Sequence, residues 1–296
     1  MRLLMTASEM RKLLAAILIK KGMYAVEAET VAQRMIDADI MGRSEFGCLS
    51  VVESVKSIDL GDIDPRALSM KKSETPATAW IDANEGMGHV AASKGTTEAI
   101  EKAKAVGIGA VVISNSQNLG SPLVYARLVA QAGMIGCCLT SPPSSPEMEA
   151  ELEEQTFFGR QPAAFAVPAH EATIGYEFSF GVDRPLRHQI PAELSASLGL
   201  LQCLLTSGLT GAKTPPEKTR GPLNERFEHF IIAIDPAAFA GPEKLAKTVE
   251  SLVRHVDSQE NSPAYRAAIT ESPFAPEEST LQQIHELAQK LKVSVN

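Results

Sequence analysis

This 296-residue sequence has no closely spaced cysteine or histidine cluster, and that absence excludes several classes of site. Its four cysteines, Cys48, Cys137, Cys138 and Cys203, form no C-x-x-C pair, and its six histidines are not at metal-ligand spacing. A redox dithiol or a zinc site is therefore not expected. We predict buried, reduced thiols instead, with the adjacent Cys137 and Cys138 on opposite faces of a strand.

The sequence also lacks a membrane-length hydrophobic run and an excess of positive charge. Residues 13–19 are apolar, but they are too few to cross a bilayer, and no small-residue cleavage site follows them. Thr6 and Glu9 predict a helix capping box there, and Gly22 predicts the helix end. The net charge of -8 makes nucleic acid and anionic membranes poor partners. We therefore expect a cytoplasmic protein that binds neither.

The common nucleotide and hydrolase motifs are missing or incomplete. Gly86-Met87-Gly88 stands between a predicted strand and a predicted helix, but it lacks the third glycine of a Rossmann fingerprint. There is no Walker loop, no H-E-x-x-H and no G-x-S-x-G. A conventional Rossmann domain, a P-loop NTPase, a zincin and an α/β-hydrolase are therefore not indicated.

Hydrophobic periodicity indicates a mixed protein, α/β or α+β, with helices at both ends of the chain. The predicted helices are residues 8–21, 26–41, 48–58, 89–105, 121–133, 192–207, 242–255 and 279–291. The predicted strands are residues 77–83, 110–114, 135–140, 165–168, 176–180 and 229–234. We expect a helical domain of residues 1–70 plus 240–296, packed as one layer, and a central domain of residues 71–239 that contains the sheet.

Several segments, in this order, resemble the malate/L-lactate dehydrogenase-type family, which includes ureidoglycolate and sulfolactate dehydrogenases and cyclic-imine reductases. They are ADIMG at 38–42, DANEGMG at 82–88, SNS at 114–116 with the Gly120 that follows, LTGA at 209–212 and HFIIAIDP at 229–236. The resemblance implies a non-Rossmann nicotinamide-binding fold and a homodimer. It also implies reduction of a 2-oxo acid, or a related imine, by NADH or NADPH.

The chain departs from this family at the positions that carry its chemistry. The family's Ser-His-Gly corresponds to Glu45-Phe46-Gly47, and its following arginine corresponds to Ser50. The family's second histidine aligns with Asn118. Residues 159–162, GRQP, keep only the ends of the family's G-T-N-P, and no lysine or glycine remains at 192–197. The segment between 168 and 192 is shorter than is usual.

Hydride reduction of a 2-oxo acid needs a general acid, a cation for the carboxylate and a cofactor pocket. For these roles we predict a rebuilt site: Glu45, Asn118 and Glu177 as catalytic groups, Arg43 or Arg160 for the substrate carboxylate, and Ser116, Gly120, Gly159 and Arg160 for NAD or NADP. A Glu45 carboxyl with a raised pKa is the predicted proton donor, and a solvated surface glutamate is the opposing interpretation.

Three functions remain open on these residues. The first is an active NAD(P)-dependent reductase with the rebuilt site. The second is a degenerate, non-catalytic family member that acts as a binding or partner protein. The third is a non-redox lyase or isomerase that uses Glu45 and Glu177.

Overall fold

The computed structural model describes residues 5–142, 161–169, 173–180, 192–218, 226–257 and 273–293. In this part of the chain, seven strands form one sheet. They are β1 (Met70–Glu74), β2 (Thr78–Asp82), β3 (Ile108–Ser116), β4 (Ile135–Ser141), β5 (Gln161–Pro168), β6 (Thr173–Phe180) and β7 (Phe227–Ile234). Their order is β1-β2-β3-β7-β4-β5-β6.

The described ranges also contain eight α-helices. They are α1 (Ala7–Lys20), α2 (Ala25–Ile40), α3 (Val51–Leu60), α4 (Gly88–Val106), α5 (Pro122–Gln131), α6 (Ala192–Cys203), α7 (Pro242–Asp257) and α8 (Glu278–Lys290). The predicted α/β class and the predicted elements are confirmed within a few residues, but two features differ. Residues Leu204–Gly208 extend α6 as a π-helix, and strand β1 was not predicted.

The sheet is mixed, with a single parallel pair. Strands β2 and β3 run parallel and are joined by α4, whereas every other neighbouring pair is antiparallel. A Rossmann domain is built on a mostly parallel sheet. The non-Rossmann expectation is therefore confirmed.

Helices α4 and α5 cover one face of the sheet, and one row of side chains crosses this face. The hydrogen-bonded register joins, from β2 to β6, Ala79, Val111, Ile231, Cys138, Ala164 and Glu177. The first five belong to the main hydrophobic core. Since residues in register share a face, the row carries the Glu177 carboxylate to the side of the sheet that the helices cover.

The opposite face packs against α6 and its π-helical extension. Cys137, Leu139 and Phe230 form a smaller core there with Leu205. Cys138 belongs to the first core and Cys137 to this one, so the predicted alternation of the two thiols is confirmed. All four cysteines are free and buried.

The terminal helices pack together as predicted. Helices α1, α2 and α3 share a core with Leu281, Ile284 and Ala288 of α8. The side chains of Thr6 and Glu9 form the predicted capping box at the start of α1. Helix α7 contacts the turn Pro236–Ala238 instead, and the domain boundaries stay a prediction. Among the described helices, none has the length and apolar character that a membrane crossing requires.

Candidate active site

The turn after β2 meets the last residues of β3 at the carboxyl ends of the two parallel strands, where ligand crevices of open α/β sheets lie. Asn84 and Glu85 of the turn and Asn115 near the end of β3 have φ angles of 52°, 66° and 53°, a region that strains residues with side chains. Glu85 N donates to Asn115 O at 2.9 Å, and Asn115 Nδ2 donates to Asp82 Oδ1 at 3.2 Å. Strained backbone at a strand-end edge marks this place as the candidate site.

Helix α4 begins directly against the residues that follow β3. A Cβ atom added at Gly88 would lie 2.0 Å from the carbonyl oxygen of Gln117. Only glycine therefore allows the start of α4 and residues 117–118 to meet at this distance.

The segment after α2 brings Arg43 and Glu45 close to Glu177 of the edge strand β6. Residues Ser44–Phe46 form a 3₁₀ turn, in which Glu45 is exposed. Phe46 is partly buried and packs against the main core. The Ser50 hydroxyl donates to Gly47 O at 2.6 Å. Phe46 and Ser50, which the sequence analysis aligned with the family's histidine and arginine, are thus engaged in local packing and hydrogen bonding.

Glu177 reaches from β6 to the start of α5. Its Oε2 accepts hydrogen bonds from the Ser121 hydroxyl and, at 3.3 Å, from Leu123 N. Arg43 Nε lies 3.9 Å from the same oxygen, and Arg43 Nη2 donates to the backbone oxygen of Glu177 at 3.3 Å. The Glu177 side chain is 9% exposed and that of Arg43 is 31% exposed. A buried carboxylate therefore meets a partly exposed guanidinium.

Burial is the largest influence on Glu177 and raises the pKa of its carboxyl above the usual value. The nearby charge of Glu45 raises this pKa further, while Arg43 and the donors on α5 lower it. The structure thus brings together three of the predicted residues, Arg43, Glu45 and Glu177. The buried carboxyl among them is Glu177, not the exposed Glu45.

Ser121 was not among the predicted site residues. The predicted helix over residues 121–133 begins at Ser121, and Pro122 follows it. Ser121 is the N-cap residue, but its side chain makes no cap hydrogen bond. The cap acceptor comes from Glu177, 56 residues away from Ser121. The one sequence signal at this position was a serine before a proline, which indicates a helix start and no distant partner.

The remaining predicted residues take different places. The exposed Asn118 accepts a hydrogen bond from Gly120 N at 2.8 Å, and Gly120 has a φ of 80°. Ser116 is fully buried, and its hydroxyl lies 3.0 Å from His229 Nε2. Gly159 and Arg160 lie outside the described residues. The cofactor-binding roles of all these residues stay predictions.

Two buried histidines lie behind this edge. His229 Nδ1 is 2.8 Å from Thr140 Oγ1, and burial lowers the pKa of His229 to about 3. His89 is buried with no hydrogen-bond partner for its ring nitrogens in the described structure. Burial, and then the charge of Arg34, lower the pKa of His89 to about 4. Both imidazoles are therefore neutral at pH 7.

The donors at this edge fit the uncharged part of a nicotinamide cofactor better than its phosphates. Asn118 offers an exposed amide, and the Gly120 backbone has a conformation that favours glycine. The arginines nearby already contact carboxylates: Arg43 is near Glu177, and Arg226 Nη2 is 2.8 Å from Glu85 Oε1. Within the described ranges, no three histidine, cysteine, aspartate or glutamate side chains are placed to hold a metal ion.

Solved structures with the same fold are dehydrogenases and reductases. The malate dehydrogenase of Pyrococcus horikoshii OT3 superposes with a TM-score of 0.80 at 20% identity, over 98% of this chain and 96% of that one. The delta1-piperideine-2-carboxylate reductase of Pseudomonas syringae pvar. tomato gives 0.77 at 18% identity, over 96% and 99%. These similarities define the fold as that of this class of oxidoreductases.

Sequence comparison gives the family. A family model described as malate/L-lactate dehydrogenase matches residues 5–180. The chain therefore belongs to the malate/L-lactate dehydrogenase family, as the resemblance implied. It is 31% identical to the L-sulfolactate dehydrogenase of Methanocaldococcus jannaschii over 169 residues, which are 57% of this chain and 47% of that protein. The chain spans about half the length of the curated relatives it matches.

Proposed function

We propose that this chain is an NAD(P)-dependent reductase of a 2-oxo acid or a cyclic imine, working with a rebuilt site. The observation that carries the proposal is the buried Glu177 carboxyl next to the partly exposed Arg43. Family membership supports the reaction class. The bound cofactor would supply the hydride.

Glu177 is the proposed general acid. The reaction adds a hydride to the carbonyl or imine carbon and a proton to the oxygen or nitrogen, so the site must provide one proton in each turnover. A carboxyl whose pKa is raised by burial still carries a proton closer to neutral pH and donates it effectively. Ser121 orients this carboxyl, and the nearby charge of Glu45 favours its protonated form.

Arg43 is the proposed group for the substrate carboxylate. A guanidinium binds a carboxylate through two parallel hydrogen bonds. The partly exposed Arg43 side chain is accessible to a small anion. Asn118 and Gly120, with Arg160 outside the described residues, are proposed to contact NAD or NADP.

Cofactor titration tests the proposal. NADH or NADPH that binds the folded chain must raise its melting temperature, and we expect this at millimolar concentration. A panel of 2-oxo acids and cyclic imines should then reveal turnover. Loss of a general acid lowers kcat about 10² to 10⁴-fold, so Glu177→Gln should do this.

The matched control is Glu45→Gln, which removes the exposed carboxylate and should lower kcat far less. Equal turnover of wild type and Glu177→Gln contradicts the assignment of the acid. A chain that binds neither cofactor contradicts the reductase.

The alternative is a non-catalytic family member that acts as a binding or partner protein. Two observations favour it. Phe46 packs against the core, and Arg43 already contacts a carboxylate of its own chain. Under this alternative, small anions bind without any cofactor and no substrate of the panel is turned over.

We also propose that the chain forms a homodimer through the face that carries α6. Leu200, Leu201 and Leu204 are exposed there, and contiguous exposed apolar surface marks association sites. Analytical ultracentrifugation should give twice the chain mass for wild type and a monomer for Leu201→Glu. The control Leu60→Glu, at the exposed end of α3, should stay dimeric.

A further inference from the structure

The group proposed to bind the substrate carboxylate is already in contact with a carboxylate. Arg43 Nε lies 3.9 Å from Glu177 Oε2, and Arg43 Nη2 donates to the Glu177 backbone at 3.3 Å. Glu177 is held in this place by two further donors on α5. An anionic substrate therefore approaches a guanidinium whose charge is partly balanced by the protein.

We propose that an anionic substrate binds to Arg43 together with one proton, which Glu177 takes up as the guanidinium turns to the substrate. The inference rests on the proposed function, because it takes Arg43 as the carboxylate-binding group. It adds a regulation of that site: anion binding is linked to pH through one residue.

The charges around Glu177 give the reason. The segment after α2 contributes the positive Arg43 and the negative Glu45, and α5 contributes the uncharged donors Ser121 and Leu123 N. Strand β4 contributes Cys138. Burial is the main reason that the pKa of its thiol is raised far above the usual value, so this thiol stays neutral. A bound substrate carboxylate would place three negative charges around one cation.

Protonation of Glu177 removes one of these three negative charges and costs less free energy than protonation of either of the other two carboxylates. Like charges close together in a place of low water content strongly disfavour one another. Glu177 is the buried carboxyl, and burial already favours its neutral form. A neutral carboxyl still accepts the hydrogen bond from Leu123 N, so α5 keeps its cap. The proton taken up then lies on the group proposed to donate it to the substrate.

Isothermal titration calorimetry with oxamate, a non-reducible 2-oxo acid analogue, tests the inference. Titrations in phosphate and in Tris separate proton uptake from binding heat, since the two buffers release a proton with different enthalpies. We expect about one proton taken up for each oxamate bound, and a Kd that rises about tenfold for each pH unit above the pKa of free Glu177.

Two variants and one control sharpen the test. Glu177→Gln should bind oxamate with no proton uptake and a Kd that is constant from pH 6 to pH 8. Ser121→Ala removes a donor that lowers the pKa of Glu177, so its profile should move to higher pH. It also serves if Glu177→Gln does not fold. The control Glu101→Gln changes an exposed carboxylate of α4 and should keep the wild-type profile.

The outcomes separate this inference from the proposed function. Oxamate binding by wild type without proton uptake overturns the inference, and so does an absence of oxamate binding at every pH. Turnover of a 2-oxo acid alongside such a result would leave the proposed function standing. Conversely, proton-linked oxamate binding by a chain that binds no NADH or NADPH would overturn the reductase and keep the inference.

Discussion

Two buried carboxylates lie on opposite faces of the sheet, and their surroundings differ. Glu228 of β7 pairs with Lys218 and accepts a hydrogen bond from the Ser207 hydroxyl at 3.2 Å. The side chains of Glu228 and Lys218 are each 2% exposed. Glu177 of β6 has hydrogen-bond donors as well, but its cationic partner Arg43 is farther away and partly exposed.

This difference indicates that Lys218 and Glu228 form a structural ion pair, whereas Arg43 and Glu177 form a candidate catalytic pair. Lys218 and Glu228 are both sealed from water, so neither can exchange its partner without opening the fold around α6. Arg43 can turn to a ligand while Glu177 stays bound to α5. The same residue type, with its side chain 2% exposed in one place and 9% exposed in the other, therefore has a sealed partner at Glu228 and a partly exposed one at Glu177.

The largest expected effect is on the sealed pair. Lys218→Met removes the ammonium group that pairs with the buried Glu228 carboxylate, and breaking a buried pair in this way costs about 3–5 kcal/mol of unfolding free energy. Urea denaturation followed by circular dichroism measures it. A loss below about 1 kcal/mol would place Glu228 in contact with water and remove the contrast with Glu177.

The second largest effect is expected from acid, which should destabilise the folded chain through its two buried histidines. The folded-state pKa values of His89 and His229, about 4 and about 3, lie below the unfolded value of 6.5. Below about pH 6.5 the two imidazoles therefore bind protons in the unfolded chain but stay neutral in the folded chain. Stability is fully present above about pH 6.5 and falls as the pH decreases, by about 3 kcal/mol for each histidine at pH 4.

Urea denaturation at pH 7 and at pH 4.5 measures this loss. His89→Leu should remove a large part of it, whereas His285→Gln, on the terminal helix α8, should not. An equal acid loss in His89→Leu and wild type would show that His89 is not the group responsible.

A smaller effect is expected at the open carboxylate. Glu177→Gln removes a buried charge but keeps an acceptor for Leu123 N, so we expect a change within about 1 kcal/mol of unfolding free energy. Glu228→Gln is the matched variant on the other face, and it should cost about 3–5 kcal/mol because Lys218 stays charged and buried. Similar losses in the two variants would contradict the comparison.

The smallest effect is expected at the exposed cation. Arg43→Met should change the unfolding free energy by less than about 1 kcal/mol, because a partly exposed, loosely placed ion pair contributes little. The same variant should abolish oxamate binding. A large loss of stability with unchanged oxamate binding would assign Arg43 to structure.

Local sequence signals predicted the helices and most strands well. The capping box at Thr6 and Glu9 and the stop at Gly22 are set by neighbouring residues, and both are confirmed. Strand β1 was missed because its sequence, MKKSE, has no apolar alternation; it is an edge strand whose residues are all exposed. The π-helix was missed because a hydrophobic run does not reveal a change of helix type.

The candidate site was only partly predictable. The resemblance singled out Arg43, Glu45 and Glu177, and the structure places them near one another. No local pattern indicates that Glu177 caps α5, since that contact depends on the pairing of β4, β5 and β6. For the same reason, the sequence favoured Glu45 as the carboxyl with a raised pKa, because burial is a property of the folded sheet.

The contact between Gly88 and residues 117–118 has a mechanical consequence. Glu85 N is bonded to Asn115 O, and there is no room for a side chain at position 88, so the ends of β2 and β3 and the start of α4 are held close together. A side chain at position 88 would have to push the start of α4 away from the loop that carries Asn118.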